Sequence, residues 1–158
     1  MRRRRVFVAV LIVAAISPIF DSRERALGMT AGRERSPAGA STIAALITRY
    51  RAAFGLGPVK LDPRLGAAAE HQARAIAQTG SLDHGDFASR MAAFGIKGKA
   101  AENLSGGVAS VEEALAQWQA SPAHNANLLI PEFTRIGLAR ADSRGTRYGR
   151  YWALVLAR

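Results

Sequence analysis

From Ser41 onward the apolar positions fall first into helical and then into strand-like runs. Ile43, Leu46, Ile47, Tyr50 and Phe54 recur at helical spacing behind two candidate caps, Ser41 and Thr42, and Gly55 and Gly57 end the run. Asp62-Pro63 starts a second helix, because an acceptor side chain at the cap and a proline in the first turn satisfy the opening geometry. Leu65, Ala68, Ala69, Gln72 and Ile76 mark one face of it through Gln78, and Thr79-Gly80 stops it. Phe87, Met91 and Phe94 predict a shorter third helix closed by Gly95. Ser110 and Glu113 read as a capping box in front of Ala114, Leu115 and Trp118, a fourth helix that ends before Ser121-Pro122. Ser121, as N-cap, then restarts a short turn carrying His124, Asn125, Asn127 and Leu128. Past Pro131 the character changes. Phe133–Ala141 and Tyr148–Ala157 are rich in β-formers and flank the turn-prone Asp142-Ser143-Arg144-Gly145, which predicts an antiparallel hairpin. Helices first and strands last argue for an α+β layered domain rather than alternating βαβ units.

The N-terminal part carries a different pattern. Arg2–Arg5 precede an uncharged apolar run, Val6–Ile16, with Ser17-Pro18 and a charged stretch from Asp21 behind it. A basic start followed by an apolar stretch of roughly 7 to 15 residues describes an export signal. The run is shorter than the roughly 20 apolar residues of a typical membrane span. Residues 1–20 therefore read as a signal peptide, cut after Ala15, or as an N-terminal anchor. Residues 21–40, rich in Arg, Gly, Ser and Ala without an apolar period, read as a flexible linker, and 41–158 as the folded domain. The rest of the chain is then expected in an extracellular or periplasmic setting.

At 158 residues and 49% hydrophobic content the chain is one domain with enough apolar mass for a core. The absence of cysteine excludes disulfides, a cysteine nucleophile and thiolate-held metals. Much of the formal charge of +10 is local: four arginines sit in Arg2–Arg5, and six of the domain's arginines lie from Arg135 onward against the single acid Asp142. A basic face without a reading element does not make a nucleic-acid binder, and none is expected.

Candidate chemistry is confined to few residues. Of three histidines, His71 sits among alanines next to the apolar face of the second helix and reads as a packed core residue. His84 lies in the polar loop Ser81-Leu82-Asp83-His84-Gly85-Asp86 and His124 in Ser121-Pro122-Ala123-His124-Asn125; loop histidines on a rigid scaffold are candidate site residues. Glu102 interrupts the apolar segment Ala100-Ala101-Glu102-Asn103-Leu104. A carboxylate there must be paired, either to backbone amides or to an imidazole whose tautomer it fixes or with which it shares a metal.

Four blocks, Ser81-Leu82-Asp83-His84, Ala101-Glu102-Asn103-Leu104, Trp118-Gln119-Ala120-Ser121-Pro122-Ala123-His124-Asn125-Ala126-Asn127-Leu128 and Phe133-Thr134-Arg135-Ile136-Gly137, occur in that order. Together they resemble the bacterial branch of the CAP superfamily of cysteine-rich secretory, antigen 5 and pathogenesis-related class 1 proteins, over about residues 43 to 157. The resemblance implies an α-β-α sandwich, a small antiparallel sheet covered by helices on both faces, and a cleft of histidines and acids that binds a divalent metal such as zinc in some members. Carried over, it marks His84, Glu102 and His124. The pattern departs from plant and animal members at two points: Ser121 stands where they carry an acid, and Tyr151-Trp152-Ala153-Leu154 lacks the histidine of their last strand.

Zinc favours imidazole and carboxylate donors, so His84, His124 and Glu102 form the candidate metal set, or Glu102 stands behind a ligating histidine. The leading functional expectation is a secreted or envelope binding module, acting as a monomer, for a small-molecule, lipid or envelope-polymer ligand. The alternative is a metal-dependent hydrolase, a peptidase or esterase, using the same cleft. It needs a general base beside a metal-held water, and the motifs offer none once Glu102 is a ligand. Ser81, Ser105 and Ser121 lie near the motifs, but none stands in a G-x-S-x-G elbow.

Overall fold

The computed structural model describes residues 37–158; the expected signal segment and most of the expected linker lie outside the described residues. Its elements run α1 (Pro37–Ala52), β1 (Lys60–Leu61), α2 (Pro63–Thr79), α3 (Phe87–Ala93), β2 (Ala100–Gly106), α4 (Val111–Ala120), α5 (Pro122–Leu128), β3 (Arg135–Asp142) and β4 (Arg150–Ala157). The strands form one sheet in the order β1-β3-β4-β2, antiparallel except where the two-residue β1 lies parallel to β3.

The sheet divides two cores. Alternate residues of β4 serve both: Tyr151, Ala153, Val155 and Ala157 pack with α2 and α3, whereas Trp152, Leu154 and Leu156 pack with α1, α4 and α5. Seven consecutive buried residues are what a strand covered on both faces requires. This is the expected α-β-α sandwich.

The caps act as the sequence writes them, with two shifts. Asp62 accepts from the amides of Arg64 and Leu65 ahead of Pro63, and Gly80 closes α2 in the left-handed region at φ 73°. Ser110 Oγ caps α4 through the Glu113 amide, but the Glu113 carboxylate reaches the Ala109 amide, one residue short of the usual box partner. The first helix begins at Pro37 rather than at Ser41, so the expected linker loses its last four residues to α1; proline is well suited to a first turn. The helix also stops at Ala52, and Phe54 turns out into solvent at 55% exposure.

Two close contacts lock the layers. At Gly137 an added Cβ would lie 2.1 Å from the backbone of Leu65 and Gly66, so α2 crosses β3 main chain against main chain. Arg51, wholly buried at the end of α1, donates to the carbonyls of Gly57 (2.9 Å), Leu128 (2.7 Å), Ile130 (3.0 Å) and Phe133 (2.9 Å). It has no carboxylate among these partners, and burial pulls its pKa below the ordinary arginine value. The guanidinium therefore pins the α1 end to the α5–β3 connection and satisfies the buried carbonyls of Leu128 and Phe133.

Candidate functional site

The segment Ala100–Gly106 is an edge strand, and its alternation separates two neighbours. Glu102 shares a face with Ala100 and Leu104, which pack toward α2 and α3; Asn103 shares the opposite face with Ala101. Each organises one half of the cleft.

On the α2 and α3 side, the loop after Gly80 is tied by its own polar groups. Asp83 Oδ1 accepts from the Gly85 amide (2.8 Å), Asp86 caps α3 through Ser89 (3.0 Å), and Gln72 Nε2 donates to the Asp83 carbonyl. His84 is thereby brought against Glu102, with Nδ1 to Oε1 at 2.9 Å. The other carboxylate oxygen takes Arg90 Nη2 at 2.5 Å, and the Glu102 side chain is only 1% exposed. Arg90 Nη1 also donates to Gln72 Oε1 and to the His84 carbonyl (3.0 Å). With Arg90 donating to one oxygen, the carboxylate is the acceptor for the other, so His84 Nδ1 carries the proton and Nε2 is left to a ligand.

On the other face, Asn103 Nδ2 donates to the His124 carbonyl at 3.0 Å, and Asn127 Nδ2 donates to Asn103 Oδ1 at 2.9 Å. Tyr50 Oη adds a bond to Asn125 Oδ1 at 2.7 Å, which ties α5 to α1. His124 is half-buried, and its pKa is depressed below 6.5, first by desolvation and then by the charge of His84 across the cleft. The two histidines thus come from opposite helical layers and approach one another at the β2 edge.

The residues singled out from sequence separate here. His84 and Glu102 are in direct contact, and His124, from the other layer, lies near enough for its charge and that of His84 to oppose each other. His71 is exposed rather than packed, and its ring meets only the edge of Phe94 at a centroid distance of 6.0 Å. Ser121 holds the N-cap position of α5 without a side-chain cap bond; its hydroxyl is buried with no partner. No imidazole activates it. Arg90 was not marked by any motif. The usable signal was Gln72 on an apolar helix face, a buried amide that needs a partner from a neighbouring helix.

Both Glu102 oxygens are engaged, one by a guanidinium, and among the described residues no three His, Asp or Glu side chains gather in one metal-holding group. Glu102 holds the His84 ring from behind while it pairs with Arg90.

The layered fold and this cleft define a class, an α-β-α module with a histidine pair at a sheet edge. The profile of the cysteine-rich secretory protein family (CAP) matches residues 44–156, and the chain belongs to that family although it holds no cysteine. The uncharacterised protein YkwD of Bacillus subtilis is 33% identical over 95 residues, which cover 56% of this chain and 37% of that protein. An outer surface protein of Borrelia burgdorferi has the same fold (TM-score 0.70, 16% identity, 80% of this chain and 97% of that one). So does an extracellular SCP-domain protein of Bacillus anthracis (TM-score 0.66, 19% identity, 77% of this chain and 40% of that one). This chain thus spans well under half the length of YkwD and of the Bacillus anthracis protein. Among the described residues no helix is long and apolar enough to cross a membrane.

Proposed function

We propose that the chain is an exported binding module that takes its ligand at the β2 edge through His84 and His124, directly or through a weakly held divalent metal such as zinc. The observation that carries this reading is the commitment of Glu102. Its two oxygens hold Arg90 and His84, which fixes the imidazole in the tautomer that offers Nε2, and across the sheet edge burial and the charge of His84 lower the pKa of His124. Two imidazoles are a sufficient start for reversible metal binding; water or the ligand itself would complete the shell. Catalysis is disfavoured by the same commitment, because Glu102 is not poised as a general base and Ser121 has no base beside it.

Export is supported by the basic and apolar start of the chain and by the surface and extracellular relatives that share its fold. N-terminal sequencing of protein recovered outside the cytoplasm should begin near Ile16 if the segment is cleaved.

The cleft is tested by titrating metal-free protein with zinc. One site per chain is expected, weakening as pH falls because protons compete for imidazole. His84→Ala and His124→Ala should each abolish it and His71→Ala should leave it intact. Zinc binding unaffected by either cleft variant would sink the reading. Turnover of peptides or esters that requires both histidines would replace the binding module by the hydrolase.

A further inference from the structure

The sheet has two ends, and they differ in a way the cleft does not use. At one end β1 and β3 begin, β4 finishes and β2 begins: Lys60 is the register partner of Arg135, Arg135 of Ala157, and Ala157 of Ala100, preceded by Lys99. Four strands at about 4.8 Å spacing make this row about 14 Å wide. Arg64 in the first turn of α2 reaches the Gly95 turn, two residues before Lys97. Arg135 is committed to Asp62 and to the Arg158 carbonyl, and Lys99 shares Glu132 at 3.5 Å. The side chains of Lys60, Arg64 and Lys97 are exposed, and among the described residues no ion pair or hydrogen bond holds them.

Among the described residues, the exposed large apolar side chains lie at this same end. Leu61 is 43% exposed on β1, and Phe54 is 55% exposed in the loop that feeds β1. At the opposite end the hairpin tip also carries exposed arginines, Arg144 and Arg147, but its Tyr148 is half-buried against Gly106 and Tyr151, whereas Phe54, edge-on to Tyr50 at 5.1 Å, keeps more than half of its surface in water. Cations alone serve solubility. Cations flanked by apolar side chains held out in water fit a bilayer interface, where the charges meet anionic headgroups and the apolar groups enter the acyl boundary.

We infer that the end of the sheet bearing Phe54, Lys60, Leu61, Arg64 and Lys97 docks on an anionic lipid surface and holds the domain against the membrane. None of the cleft residues His84, Glu102 and His124 is among the residues of this face, so docking is tested separately from the reading given for the cleft. Each free cation contributes about a fivefold gain in partitioning, and salt screens the effect.

The absence of cysteine supplies the test, since one introduced thiol is the only label site. In the full chain, Pro58→Cys, exposed between the two apolar residues, and Arg144→Cys, at the hairpin tip, each carry an environment-sensitive fluorophore. On phosphatidylcholine vesicles containing phosphatidylglycerol, brominated lipid should quench the label at position 58 and not the label at 144. Whatever the first residues of the chain do at the bilayer, only a docked face brings position 58 into contact. Raised salt should release it. Lys60→Gln and Lys97→Gln should each lower the docked population about fivefold, and Leu61→Ser should lower it further at low salt. A label at 58 that stays in water on vesicle-bound chain overturns the inference. So does equal quenching at 144, equal docking on pure phosphatidylcholine, or docking indifferent to both lysine variants.

Discussion

Glu102 and Asn103, neighbours on β2, face opposite layers of the sandwich and each secures one histidine of the cleft: Glu102 through the His84 ring at 2.9 Å, Asn103 through the His124 carbonyl at 3.0 Å. A two-residue motif thereby sets the relation between two helical layers. That relation requires both residues to be buried and polar, and each is stable there only because its partners are complete.

For Glu102 the decisive partner is Arg90, at 2.5 Å with both side chains nearly out of solvent. Removing one charge strands the other. Glu102→Gln or Arg90→Met should each cost about 3–5 kcal/mol in chemical denaturation. The double variant should recover much of that loss, because no buried charge is left unpaired. Additive losses in the double variant would mean the two side chains are stabilised independently.

Asn103 makes a more local prediction. Asn103→Ala leaves the His124 carbonyl and the Asn127 amide without their partner, at a cost of about 1–3 kcal/mol. Side-chain NMR signals of His124 should shift or broaden while those of His84 hold. Equal disturbance of both histidines would show that the two halves of the cleft are not separately anchored.

Gly137 tests the packing rather than the site. A methyl group there has nowhere to go, since the atoms 2.1 Å away are the Leu65 and Gly66 backbone and not a movable side chain. Gly137→Ala should push α2 off the sheet, lowering stability by several times the cost of an ordinary surface change and yielding little folded protein. A normal melting temperature for this variant would contradict the main-chain contact.

What the sequence carried depended on how local each signal was. The second helix was legible to its ends because Asp62-Pro63 and Gly80 write their own caps. Pro37 carried no apolar period, so the start of α1 was missed by four residues. Strand β1 exists only through pairing with β3, and the β2 strand was masked because its interior polar residues, Glu102 and Asn103, break the alternation that marks a half-buried strand. The family blocks named His84, Glu102 and His124, yet Arg90, which decides what Glu102 can do, lies outside those blocks. Its partner set spans α2, α3 and β2, and only the fold assembles it.

His124 gives the pH prediction. Its pKa in the folded protein lies below 6.5, chiefly because its ring is desolvated and secondly because His84 opposes a second positive charge nearby. Between the depressed folded value and the ordinary value of 6.5, the unfolded chain therefore holds more protons at this residue than the folded one. The contribution of His124 to stability is complete above 6.5 and is lost as pH falls from there through the folded pKa. One proton limits the slope to about 1.4 kcal/mol per pH unit. Asp62 acts in a separate, more acid range: burial opposes its charge, but Arg135 and the α2 amides outweigh burial and hold its pKa below 3.8, so its support fades only below that value. Denaturation midpoints followed from neutral pH downward should decline through the weakly acid range, and His124→Gln should flatten that decline while leaving the steeper loss at lower pH. A variant whose stability still falls in parallel with the parent between neutrality and the carboxylate range would assign the proton uptake to another group.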